Sequence, residues 1–147
     1  MAKSRSILLL NGPNLNLLGQ REPHIYGSDT LSTHVLNAQS AAKELGFELV
    51  AMQSNSSSDI VEAIHVARGV HSAIVIHPGA FTHYAWSIHD ALSAFDGPVV
   101  ELHLSNPQRR ETWRHTSVVA PIAIGTIAGF GANGYSLAIR AVASHLS

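Results

Sequence analysis

Apolar residues along the chain fall into short runs separated by helix-spaced patterns. Ile7-Leu8-Leu9-Leu10 reads as a buried strand that stops at the turn signal Asn11-Gly12-Pro13. Between residues 31 and 45, Leu31, Val35, Leu36, Ala38, Ala42 and Leu45 share one face of a helix, which Gly46 ends. Residues 47–52 predict a second strand. A helix capped by Ser57 or Ser58 then runs through Ile60, Val61, Ile64 and Ala67 and closes at Gly69. Residues 73–76 predict a third strand, broken at Pro78-Gly79. Trp86, Ile88, Leu92 and Phe95 mark a helix that ends at Gly97-Pro98, and residues 99–102 a fourth strand. After a polar stretch, Thr126-Ile127-Ala128 predicts a fifth strand and residues 135–146 a last helix.

Strands alternating with helices of about ten residues imply βαβ units and a parallel sheet. Five strands in this length fit an α/β, flavodoxin-like three-layer sandwich with a five-stranded parallel sheet better than a barrel or a full dinucleotide-binding fold. No repeat, linker or low-complexity segment divides the 147 residues, so a single domain over 1–147 is expected. The formal net charge of −1 lacks the basic footprint that a phosphate backbone needs, which argues against nucleic acid as a partner. Charged residues make up only 13%, about half the usual ~25%, so surface covered by other copies of the chain is expected. With no cysteine, disulfides, thiolate metal sites and cysteine nucleophiles drop out together. The four apolar residues after the basic start are too few for a secretory segment, and no run approaches a membrane span. The chain reads as soluble and cytoplasmic.

In open α/β sheets ligands bind beyond the carboxyl ends of the strands. Three such ends are polar: Asn11-Gly12-Pro13-Asn14, His77-Pro78-Gly79-Ala80 and His103-Leu104-Ser105-Asn106. Their convergence on one edge points to a site. The long connection over residues 15–30 carries Arg21 and Tyr26 between glycines, the composition of a mobile lid that delivers a base.

From Asn11 to Gly19, and on through Arg21-Glu22-Pro23 and Tyr26-Gly27, the chain resembles the opening of the type II 3-dehydroquinate dehydratases. The resemblance continues through Gln53-Ser54-Asn55, Pro78-Gly79-Ala80, Thr82-His83, Asp90-Ala91-Leu92 and the run Glu101-Leu102-His103-Leu104-Ser105-Asn106. Arg110-Glu111, Trp113-Arg114-His115 and the glycine-rich end from Gly125 to Tyr135 complete it. These motifs cover nearly the whole chain in the family's order.

The resemblance implies a flavodoxin-like fold and an anti elimination of water from 3-dehydroquinate to 3-dehydroshikimate, without metal, cofactor or Schiff base. The step serves aromatic biosynthesis and quinate breakdown alike. Tyr26 is implied as the base. A free tyrosine ionises near pH ~10, so about one in a thousand is tyrosinate at pH 7, a handicap of about 4 kcal/mol. Arg21 supplies the permanent cation that favours the ionised form. Asn14 would hold the water that stabilises the enolate oxygen, and His103, oriented by Glu101, would protonate the departing hydroxyl. The backbone N–H groups of Leu104 and Ser105, with the Ser105 hydroxyl, would bind the carboxylate, and His83 and Arg114 the ring hydroxyls. Asp90 would reach in from a neighbouring subunit of a homo-oligomer, a trimer of the family type and four trimers to a dodecamer. Taken alone, Asp90 reads as a polar helix residue, His83 as a helix cap, and Arg109, Arg110 and Arg114 as a solvated basic face; Arg109 keeps that reading.

The chain departs from the family at His77, where members carry an asparagine that contacts the substrate carboxylate. Neutral histidine offers one donor and one acceptor there. Tyr84, Trp86 and His89 depart nearby, as do Ser57-Ser58. A diverged paralogue that binds or transforms another cyclic carboxylic acid is the alternative these changes suggest. Gly129-Phe130-Gly131-Ala132-Asn133-Gly134 matches a dinucleotide fingerprint, but no following strand and no acidic residue ~20 positions on accompany it. His65, His71, His77, His83 and His89 recur every six residues, which is no helical period, so they are not expected to hold zinc. Lys3 and Lys43 are the only lysines and neither ends a strand, which excludes a Schiff-base dehydratase.

Overall fold

The computed structural model describes residues 5–146. Five parallel strands, β1 (Ser6–Asn11), β2 (Glu48–Gln53), β3 (Ala73–His77), β4 (Val99–His103) and β5 (Gly125–Ala128), form one sheet in the order β2-β1-β3-β4-β5. This is the flavodoxin-like order, and its switch point lies between β1 and β3.

Strand alternation divides the core in two. Ile7 and Leu9 of β1, Ala73 and Val75 of β3, and Val100 and Leu102 of β4 face the layer made by α2 (Leu31–Glu44) and α5 (Gly134–Leu146). Leu8, Leu10, Ile74, Ile76 and Val99 face α3 (Ser57–Ala67) and α4 (Trp86–Ser93). A strand covered on both faces needs apolar side chains at every position, which is why β1 and β3 read as unbroken apolar runs. Each such side chain contributes about 1.5–3 kcal/mol by its burial. The edge strands β2 and β5 are only partly covered.

Three local details differ from the sequence reading. The cap of α3 is Ser56, whose Oγ accepts from Asp59 N–H at 3.4 Å, rather than Ser57 or Ser58. Asp59 in that first turn also accepts from Ser54 Oγ at 2.8 Å, and the pair sets the start of the helix one residue earlier. Helix α4 stops at Ser93, so the buried Phe95 belongs to the turn after it. Residues 15–30, read as a long connection, carry regular structure. They fold into a 3₁₀ turn and a short helix, α1 (Pro23–Tyr26), with Leu15, Leu18 and Tyr26 buried in the α2/α5 core.

Candidate active site

The carboxyl ends of β1, β3 and β4 meet at a cavity lined by Asn14, Arg21, Tyr26, His77, His83, His103, Ser105, Arg110 and Arg114. Most of the residues singled out in the sequence are thus brought together.

The β1 end is locked to its neighbours. Gly12 N–H donates to the His77 carbonyl at 2.8 Å, and Gln53 Nε2 donates to the Gly12 carbonyl at 3.1 Å. Asn14 adopts the left-handed conformation, φ 67°, that asparagine tolerates better than most residues. Its backbone N–H donates to Asn55 Oδ1 at 3.0 Å, so the Gln53-Ser54-Asn55 motif braces this turn. Across the cavity, the Arg21 guanidinium carbon lies 4.6 Å from the centre of the Tyr26 ring and that of Arg110 lies 5.1 Å from it. Arg110 also donates from Nη1 to Ser105 Oγ at 3.0 Å. Taken alone Arg110 reads as part of a solvated basic face, and the Arg110-Glu111 motif marked it without assigning it a role. Arg109 is exposed, as expected.

Residues two apart on a strand share a face, which sets Glu101 beside His103 on β4. His103 Nε2 lies 2.5 Å from Glu101 Oε2, so that nitrogen donates and Nδ1 is the ring's remaining nitrogen. Glu101 is buried and its carboxylate accepts from Ser117 Oγ at 3.0 and 2.9 Å. Ser117 Oγ in turn accepts from the N–H groups of Val119 and Ala120, at 3.1 and 3.0 Å. Nothing in the sequence marked Ser117.

His83 Nδ1 lies 2.7 Å from the Thr116 carbonyl, an acceptor only, so Nδ1 donates. Burial, opposed by that hydrogen bond, holds His83 below the usual histidine range. Arg114 donates from Nε to Glu111 Oε2 at 3.1 Å and still lines the cavity. Leu104 is buried behind Ser105. Asp90 does not join the others: its side chain is 83% exposed, 3.1 Å from His89 Nδ1 and outside the cavity.

His77 is buried at the cavity floor, with its ring centre 6.0 Å from that of His103. Its Nδ1 lies 2.9 Å from the hydroxyl of Tyr135, whose O–H donates to Asn11 Oδ1 at 2.6 Å. Asn11 Nδ2 continues to the Met52 carbonyl at 3.1 Å. Burial above all, then the nearby His103, His34 and Arg21, holds His77 well below the usual histidine range. His34 stacks on Tyr135 with ring centres 5.0 Å apart, and neither of its nitrogens has a hydrogen-bond partner among the described residues. Among the described residues, no three histidine or carboxylate side chains group closely enough to share a metal ion.

Comparison with known proteins identifies the family. The family described as "Dehydroquinase class II" matches residues 5–143. The chain is 49% identical to a 3-dehydroquinate dehydratase of Ruegeria pomeroyi, over 97% of this chain and 95% of that one. It is 54% identical to a catabolic 3-dehydroquinase of Aspergillus clavatus, over 95% and 93%. Among solved structures, the type II dehydroquinase of Propionibacterium acnes superposes with a TM-score of 0.91 at 41% identity, covering 98% of this chain and 99% of that one. A 3-dehydroquinate dehydratase-like protein from Bifidobacterium longum gives 0.72 at 30% identity, covering 96% and 97%. Matched by the family model over residues 5–143 and alike in sequence and fold to these relatives, the chain belongs to the class II dehydroquinases.

Proposed function

We propose that the chain is a single-domain 3-dehydroquinate dehydratase working through a tyrosinate base and a histidine acid. The observation that carries this reading is one cavity holding both a phenol flanked by two guanidinium groups and an imidazole braced by a buried carboxylate. Guanidinium charge over the ring stabilises the negative charge the base must carry.

Tyr26, ionised, takes a proton from the carbon between the ketone and the carbinol carbon. The C–H electron pair forms the enolate, whose oxygen is met by a water that Asn14 holds. As the enolate collapses, a carbon–carbon double bond forms next to the carboxylate. The C–O bond breaks, and His103 Nδ1–H protonates the leaving hydroxyl to water. Glu101 stabilises the imidazolium beforehand and keeps its ring oriented. The carboxylate sits on the backbone N–H groups of Leu104 and Ser105. Because Ser105 Oγ accepts from Arg110, its own proton is free to point at that carboxylate. His83 and Arg114 take the ring hydroxyls.

Asp90 completes the site of an adjacent subunit in a trimer, four trimers forming a dodecamer. Its exposure outside its own cavity supports this, as do the exposed Tyr84 and Trp86, 61% and 58% accessible. No helix among the described residues is long and apolar enough to cross a membrane, and we assign the enzyme to the cytoplasm.

The test follows the enone absorbance of 3-dehydroshikimate after mixing the protein with 3-dehydroquinate. Steady turnover that falls at least a thousandfold in Tyr26→Phe and in His103→Ala supports the assignment. Full activity in Tyr26→Phe removes Tyr26 as the base. His77 at the floor favours one competing reading, a diverged member acting on another cyclic acid. Folded protein without turnover at any pH would shift the assignment to that reading, which a screen of related cyclic carboxylic acids then tests.

A further inference from the structure

The cavity floor is directional. The Met52 carbonyl can only accept, so the Asn11 amide presents Nδ2–H to it and turns Oδ1 toward Tyr135. The Tyr135 hydroxyl, which burial keeps protonated, gives its one proton to that oxygen. Toward His77 the same hydroxyl can only accept, so the ring proton of His77 sits on Nδ1. Neutral His77 therefore has a bare Nε2, and Nδ1 to Tyr135 is its only side-chain hydrogen bond among the described residues. A second proton is opposed first by burial and then by His103, His34 and Arg21.

A bare imidazole nitrogen and a carboxylate are both acceptors and do not bind each other; the nitrogen takes a hydroxyl instead. A second imidazole of this cavity, His103, commits Nε2 to Glu101 and keeps Nδ1 for a ligand, while His83 commits Nδ1 to the Thr116 carbonyl. Resting on the dehydratase reading, we infer that His77 is a specificity-determining residue that holds the departing hydroxyl rather than the carboxylate. The hydroxyl donates to His77 Nε2 and accepts from His103 Nδ1–H. Its own proton is thereby turned away from the acid and a lone pair toward it. When the C–O bond breaks, the oxygen leaves as water with its original proton and the one from His103, and His77 gains none. An amide at this position can turn an N–H to a carboxylate oxygen; this chain's imidazole, fixed by Tyr135, cannot.

The experiment compares two unreactive ligands by titration calorimetry: quinate, in which the ketone is an alcohol, and its analogue with hydrogen in place of the hydroxyl on the carboxylate-bearing carbon. His77→Ala is expected to weaken quinate about tenfold and to leave the deoxy analogue within about twofold. Equal losses for both ligands would make His77 a carboxylate contact and overturn the inference. Wild-type protein that binds neither ligand and turns over no substrate removes the dehydratase reading, and this inference with it. Should His77→Ala not fold, ¹⁵N spectra of the wild-type imidazole decide: a proton on Nδ1 and a bare Nε2 support the inference, and a proton on Nε2 overturns it.

Discussion

Gly12→Ala is the change that should damage both the sheet and the cavity. A methyl built on Gly12 would lie 2.2 Å from the Pro78 carbonyl oxygen and 2.6 Å from its carbon. Both are backbone atoms of the turn after β3, so no side chain can rotate away. Ordinary contact requires the β1 and β3 ends to part by about 1 Å. Overpacking of this kind costs about 1–3 kcal/mol. The parting also stretches the 2.8 Å bond from Gly12 N–H to the His77 carbonyl, and a buried group left unpaired costs about 1–3 kcal/mol more. Together these give a loss of about 2–6 kcal/mol from a total of about 5–15 for a domain. Urea unfolding should show the midpoint falling with m unchanged. Because Asn14 and His77 hang from the two separated ends, turnover in the folded fraction should fall about a hundredfold. Gly125→Ala is the control, since nothing lies within 4 Å of its added methyl. A Gly12→Ala protein with wild-type midpoint and turnover would refute the claim that these ends are interlocked.

Other outcomes follow from the buried polar groups. His34 and His77 both sit below the usual histidine pKa in the folded protein, so below about pH 6.5 the unfolded chain binds more protons and stability falls with pH. Urea midpoints should decline as pH is lowered from 7 to 5.5, with a slope of at most about 1.4 kcal/mol per pH unit from each histidine, and His34→Phe should flatten the decline. Ser117→Ala removes the anchor of Glu101 and should lower kcat about tenfold, about 1.4 kcal/mol, with KM little changed and with Ser117→Thr restoring most of the loss. Arg110→Met removes a cation from the Tyr26 ring and a donor from Ser105, and kcat/KM should drop ten- to a hundredfold, whereas Arg109→Met on the exposed side stays within about twofold.

The central strands were legible because both faces of β1 and β3 are covered, which forces uninterrupted apolar runs whatever the rest of the chain does. The first three-dimensional decision the pattern could not make was the start of α3. Ser56, Ser57 and Ser58 are chemically equal candidates, and only the reach of Asp59 distinguishes them. Asn14, Tyr26, His77 and His103 were visible as polar breaks at strand ends or as chemistry carried on a long connection. Tyr135, by contrast, sits at an apolar helix position and reads as core. Its hydroxyl meets Asn11 and His77 across separations of 124 and 58 residues, which no local pattern encodes. Ser117 and Arg110 escaped for the same reason, since their partners Glu101 and Tyr26 lie on other elements.

Because β1 lies inside the sheet and each wall of the cavity hangs from a different strand end, no single βαβ unit of the chain contains the site. Asn14, His77 and His103 meet only after β1 has found β3 and β3 has found β4, pairings that close long loops and form late. During refolding, turnover should return with the slowest long-range pairing rather than in step with helix content. The same reasoning predicts no turnover from a nascent chain held on the ribosome before α5, the element carrying Tyr135, has emerged.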